Sequence, residues 1–117
     1  MLDAGQLLEI STELRPLLEQ IARDGATITW SLIRKCLKNL PHLHKEDQCV
    51  VLWLVDEDRR KGEPLLSALV TVGDRQMHPR YPAIAEQHGV QTGSGVPQQR
   101  TAWSYEVLKA HQYWRYR

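Results

Sequence analysis

Apolar positions recur along the first part of the chain at Leu7, Ile10, Leu14, Leu17, Leu18 and Ile21. Spacings of three and four residues put these side chains on one helical face, so residues 3–23 are predicted to form a helix. Pro16 falls inside the pattern. It has no N–H to donate and its ring crowds the preceding turn, so it is expected to kink or divide the helix. Asp24-Gly25 supplies the stop. Ala26-Thr27-Ile28 is too short and too β-branched for a helix and reads as a strand. Thr29 is placed to cap a second helix with its hydroxyl. The stripe of that helix, Trp30, Ile33, Leu37 and Leu40, runs up to Pro41.

A third helix is predicted over residues 46–61. Glu46 and Asp47 suit the positive end of a helix. The centre, Val50 to Val55, is apolar on every side and is expected to be buried throughout. Periodicity alone does not separate helix from strand there, but the charged tail Asp56 to Lys61 makes the segment far longer than a strand, which averages about 5–6 residues. Leu65 to Val72 reads as a strand, Gly73-Asp74-Arg75 as a turn, and Gln76-Met77-His78 as the return strand stopped by Pro79. Pro82 starts a short helix that has Ile84, Ala85 and His88 on one side and ends at Gly89. Residues 91–97 are rich in Gly, Ser and Thr and read as a flexible connector. A last helix over residues 98–117 carries Trp103, Val107, Ala110 and Trp114 as an inner stripe. Trp30 and Trp53 lie in apolar helical patterns and are expected in the core.

The order helix, short strand, helix, helix, strand, tight turn, strand resembles the winged helix-turn-helix superfamily over residues 3–79. The segments that carry the resemblance are Gly25-Ala26-Thr27-Ile28-Thr29-Trp30, entering the second helix, and Leu65 to Val72 with Gly73-Asp74 as the hairpin. It implies an α+β, mainly helical fold; with the connector and last helix read above, the chain divides into a winged-helix-like domain over residues 1–90, the connector 91–97, and a C-terminal helical extension, 98–117, expected to pack on the same domain. It also places residues 46–61 where DNA-binding members hold their recognition helix. Here that segment has an apolar centre and carries Glu46, Asp47, Asp56, Glu57 and Asp58 at its ends. Carboxylates repel phosphates, which leaves a winged helix used for protein contacts as the alternative.

Length and composition set the outer bounds. A chain of 117 residues, 42% hydrophobic and 25% charged, is one globular domain and excludes a disordered, collagen-like or coiled-coil chain. No apolar run reaches the roughly 18–20 residues that span a bilayer. The first residues lack a secretory pattern, so a cytoplasmic location, no membrane partner and reduced thiols at Cys36 and Cys49 are expected. The net charge of +1 excludes a global pull toward nucleic acid. Locally, residues 3–24 are acidic, whereas 34–45 and 98–117 are basic.

Candidate chemistry is thin. Cys36, His42, His44 and Cys49 are possible zinc donors, but their spacing matches no paired-cysteine pattern, and both cysteines read as small core residues. A cysteine nucleophile paired with His78, His88 or His111 lacks the exposed, basic setting that activates a thiol. Gly93-Ser94-Gly95 lacks the Lys-Ser/Thr of a phosphate loop. No catalytic residue, metal or cofactor is expected. Arg34, Lys35, Lys38, Lys45 and Arg75 are the candidate nucleic-acid contacts. Tyr113, Arg115, Tyr116 and Arg117 are the candidate interaction surface, because Tyr and Arg around an apolar centre are typical of interfaces. The sequence thus points to a non-enzymatic nucleic-acid-binding regulator, with a protein-interaction adaptor as the alternative. The expected partner is DNA or a protein, with a homodimer as one form.

Overall fold

A computed structural model describes residues 3–37 and 40–117. Helix α1 spans Ala4–Arg23, strand β1 Ile28–Thr29, helix α2 Trp30–Cys36 and helix α3 Lys45–Glu57. A 3-10 turn, Leu66–Leu69, leads into strand β2, Val70–Val72. Strand β3 is Gln76–Met77, helix α4 is Tyr81–Gln87 and helix α5 is Val96–Trp114. The fold is α+β and mainly helical. Among the described residues, no helix is long and apolar enough to cross a membrane.

The helix ends follow local chemistry. Asp3 accepts the Gln6 amide at 2.8 Å, and the Gln6 side chain accepts the Asp3 amide at 3.0 Å, a reciprocal cap that opens α1. Thr29 caps α2 through the Leu32 amide at 3.3 Å. Gly25 and Gly89, with φ of +66° and +82°, take the left-handed conformation just beyond α1 and α4. Helix α1 runs unbroken through Pro16, which lies on the exposed side, where the Thr12 carbonyl left without its donor is reachable by water.

The sheet has the order β1-β2-β3. Strands β1 and β2 are parallel, with Ile28 opposite Val70 and Thr29 opposite Thr71. Strands β2 and β3 are antiparallel, with Thr71 opposite Met77 and Val72 opposite Gln76. The hairpin turn holds Gly73 and Arg75 at φ of +53° and +57°, so a non-glycine residue occupies a left-handed position at its tip.

The main core joins Leu14 and Leu18 of α1, Ile33 of α2, Val51 and Leu52 of α3, Leu66 and Leu69 of the 3-10 turn, and Ala110 and Trp114 of α5. A second cluster, Leu65, Ala68, Tyr81 and Ala85, lies under α4. Helix α5 packs on α1 and on the 3-10 turn. Trp103 fixes it there by donating its indole N–H to the Ala68 carbonyl at 2.7 Å.

Other sequence expectations are corrected as well, and α5 begins at Val96, inside the stretch 91–97 expected to be a connector. Leu65 to Val72 is not one strand, because its first half is the 3-10 turn and only Val70–Val72 pairs. Two buried carboxylates take the amides that a strand would offer to a neighbour. Glu106 accepts the Leu65 amide at 2.7 Å, and Asp56 accepts those of Leu66 and Ser67 at 2.8 and 3.1 Å. Helix α3 stops at Glu57 rather than near residue 61, and the chain turns through Gly62 at φ +83°. Val50 is 41% exposed, and Trp53 and Leu54 are half-buried at the core's edge, so the apolar centre of α3 is not buried throughout. Cys36 is exposed rather than in the core, since it falls about 100° round the helix from the Trp30–Leu37 line. Trp30 is buried as expected.

Candidate functional site

The predicted basic residues divide between places. Arg34 and Lys35 are exposed on α2, and Arg75 is exposed at the hairpin tip. Because β1 and β2 are parallel, α2 and the hairpin turn leave the sheet at the same end, so these three cations share that end. Lys45 starts α3 near His78 and Arg80, and Arg80 is ion-paired with Glu46. Lys38 lies outside the described residues.

The C-terminal residues form a ladder of cations and rings. The Arg117 guanidinium sits 3.9 Å from the Tyr113 ring centroid, and Arg23 sits 5.3 Å from that of Trp114. Tyr113 and Trp114 meet edge to face at 5.3 Å, and Arg115 lies 5.5 Å from the Tyr116 ring. Trp114 is buried, Tyr113 is half-buried, and Arg115, Tyr116 and Arg117 are exposed. Arg23 Nε also donates to the Arg117 carbonyl, which ties this end of the chain to α1. The ladder places a cation over one face of Tyr113, Trp114 is buried, and Tyr116 stays 87% exposed.

Beside the ladder lies an open cleft of about 400 Å³. Arg15, Arg60 and Arg117 line it together with Glu19, Asp58 and Glu63, and Tyr113 and Trp114 form its aromatic side. Arg15 is the internal strut of this cleft. Its Nη1 donates to the Val55 carbonyl at 2.6 Å, its Nε pairs with Glu19 at 3.2 Å, and its Nη2 reaches the buried Glu63 at 3.5 Å. Glu63 also accepts the Arg60 amide at 2.7 Å. Sequence reasoning missed Arg15, Glu19, Asp58 and Arg60 as surface partners of the C-terminal run. They come from two separate stretches of chain, α1 and the segment after α3, and none belongs to a motif.

The buried and half-buried histidines are tied into hydrogen bonds. His78 is buried, with Nε2 bonded to Gln48 Oε1 at 3.1 Å and Nδ1 accepting the Arg80 amide at 3.1 Å. Burial, with Arg80 and Lys45 nearby, pushes its pKa down to about 4. His88 donates to the Trp53 carbonyl at 3.0 Å and stacks on the Trp53 ring, and His111 donates to the Ala26 carbonyl at 2.9 Å. Burial and the Glu46 carboxylate push the Cys49 thiol up, away from the thiolate. Among the described residues, no group of three or more His, Cys, Asp and Glu side chains is placed to hold a metal ion.

The buried carboxylates have a structural task. Asp56 is fully buried, and that burial raises its pKa although the Leu66 and Ser67 amides oppose the rise. Tyr81, near Glu106 and Asp56, has its phenol pushed up by burial and by both carboxylates. The two carboxylates tie α3 and α5 to the start of the 3-10 turn, and Tyr81 of α4 packs with Leu65 and Ala68 there.

No family model, curated protein or solved structure matches the chain.

Proposed function

We propose that this chain is a non-enzymatic, winged-helix-like module of the cytoplasm that binds another protein through the surface built on the C-terminal end of α5. The observation that carries the reading is the composition of that surface. Cations cover the Tyr113 and Trp114 rings, and Glu19, Asp58 and Glu63 alternate with Arg15, Arg60 and Arg117 beside them. A nucleic-acid groove gains from an excess of cations and from free ring faces. Interleaved acids and bases around aromatic side chains suit a protein partner, whose own charges set register and orientation. The order of helices, small sheet and hairpin supports the winged-helix-like architecture.

The test is photo-crosslinking from position 116, with a benzophenone side chain in place of the exposed Tyr116, in cells that produce the protein. Discrete protein adducts that disappear when Arg115 and Arg117 are both changed to Glu are the expected result. Nucleic-acid adducts, or none from any position on α5, would overturn it.

A nucleic-acid reading retains one specific support: Arg34, Lys35 and Arg75 share one end of the sheet. If they contact phosphates, log Kd for duplex DNA varies with log salt by about 0.9 per contact. Changing Arg34 and Lys35 to Ala then flattens that slope by roughly 2 and weakens all sequences alike. A wild-type protein that shifts neither duplex nor single strands in a gel at low salt removes this reading.

A further inference from the structure

The 400 Å³ cleft does not end at Arg15. A second depression of about 200 Å³ runs on between α1 and α3, and Arg15, Glu19 and Asp58 line both. The two form one furrow along α1. Its far end presents Leu8, 54% exposed, with Pro16 on the same helix and Leu54 opposite, around Ser11 and Thr12, whose hydroxyls donate to the Leu8 carbonyl. Val50, one turn before Leu54 on α3, extends that apolar lip and is itself 41% exposed. The waist is acidic. Glu19 is held by Arg15, but Asp58 has no cationic partner among the described residues. The near end is cationic and aromatic, and there Arg60 and Arg117 have no carboxylate partner among the described residues. From Leu8 to Glu19 the helical rise alone is roughly 16 Å.

We propose that this furrow docks a linear segment of a partner protein whose exposed face carries apolar side chains, then a Lys or Arg, then a carboxylate. The inference rests on the protein-binding reading above and names the partner's chemistry. Each part of the furrow leaves one kind of group unmatched. Exposed leucine and valine side chains at one end gain by leaving water. The unpaired Asp58 in the middle attracts a cation, and two guanidiniums at the other end present forks that fit a carboxylate. A furrow walled by α1 on one side and by α3 and the 58–63 loop on the other has the shape that receives an amphipathic helix. The order of charges sets its register, because a segment with acid and base exchanged meets like charge at both polar positions.

The probe is a fluorescein-labelled helical peptide of about 15 residues, long enough to span the furrow. One face holds two leucines a turn apart, then two arginines, then two glutamates, and the peptide is made in both chain directions. Anisotropy titration of the full chain is expected to show saturable binding by one direction, with the version in which Arg and Glu are exchanged at least tenfold weaker. Asp58→Arg should weaken the original probe about tenfold, and the probe with glutamates in place of its arginines should regain affinity for that variant. Leu8→Gln should cost about tenfold as well. Both residues are exposed, and a cation at the C-terminal end of α3 suits the helix dipole, so unchanged melting temperatures are expected to confirm folding. Binding that ignores Leu8 and Asp58 but is lost on Tyr116→Ala would overturn the furrow and leave the protein-binding surface standing. Absence of peptide binding by any probe would overturn the furrow, and failure of the crosslinking test would remove the wider reading with it. Concentration-dependent dimerisation abolished by Leu8→Gln would make the occupant a second copy of this chain and overturn the partner segment.

Discussion

Replacing Asp56 with alanine is expected to lower the unfolding free energy by about 3 kcal/mol, which is a large part of the roughly 5–15 kcal/mol of a small domain. The carboxylate is completely buried and accepts the Leu66 and Ser67 amides at 2.8 and 3.1 Å. These are among the first amides of the 3-10 turn, where helical geometry supplies no partner of its own. Alanine leaves both N–H groups buried and unpaired, at about 1–3 kcal/mol each. Part of that loss is offset because the wild-type protein already bears the desolvation of a carboxylate, the leading cause of the raised pKa of Asp56. The melting temperature should fall by roughly 10–20 °C. Glu57→Ala, one residue along and exposed, should change stability by no more than about 0.5 kcal/mol. The pH dependence has a definite sign. A folded pKa above the unfolded one means that the native state holds the proton more tightly, so the stability contributed by Asp56 declines as pH rises through its native pKa. The gap between wild type and Asp56→Ala is therefore wider in acid than at neutral pH. Urea titrations followed by circular dichroism would measure it, and a loss under about 1 kcal/mol would show that water or other groups satisfy those amides.

The same carboxylates mark the boundary of what was legible in the sequence. Helix α1, the Thr29 cap and the inner stripe of α5 depend on residues within one or two turns of each other, and local periodicity found them. Trp103 and Val107 of that stripe are half-buried, and Ala110 and Trp114 are buried. The apolar run from Leu65 to Val72 is compatible with strand or helix on its own terms. What decides its first half is Asp56, ten residues upstream of Leu66, and Glu106, which lies 41 residues beyond Leu65. Neither effect leaves a mark on the local pattern. Cys36 was misjudged for another reason. It lies among the apolar residues of that segment in sequence, but about 100° round α2 from their stripe, so it faces water. The site follows the same rule. Tyr113, Arg115, Tyr116 and Arg117 were visible because they are consecutive or nearly so. The furrow was not, because Leu8, Leu54, Asp58 and Arg117 meet only after α1, α3 and α5 have packed.

Acidification should destabilise the protein through His78 by about 3 kcal/mol between pH 6.5 and about 4. The ring is 1% exposed, and its two bonds assign a neutral tautomer. Nε2 carries the proton and donates to Gln48 Oε1 of α3, while Nδ1 accepts the Arg80 amide at the start of α4. A second proton on Nδ1 removes the acceptor that Arg80 needs and adds a charge near Lys45 and Arg80. Glu46 on the same turn of α3 is already paired with Arg80. The folded pKa lies below the unfolded one, so the unfolded chain binds the proton first. The contribution is fully present above the unfolded pKa of 6.5, is lost as pH falls toward the folded value of about 4, and changes no further below that. Asp56 works in the opposite direction, so wild-type stability alone does not isolate the effect. The difference between wild type and His78→Asn does, because every other titrating group cancels in the subtraction. Asparagine can keep the bond to the Arg80 amide but has nothing to protonate. The wild-type advantage measured near pH 7 should shrink by about 2–3 kcal/mol, or reverse, near pH 4. Parallel stability curves for the two proteins across that range would mean that His78 takes up its proton in the native state, with the contact between α3 and α4 at Gln48 and Arg80 already open.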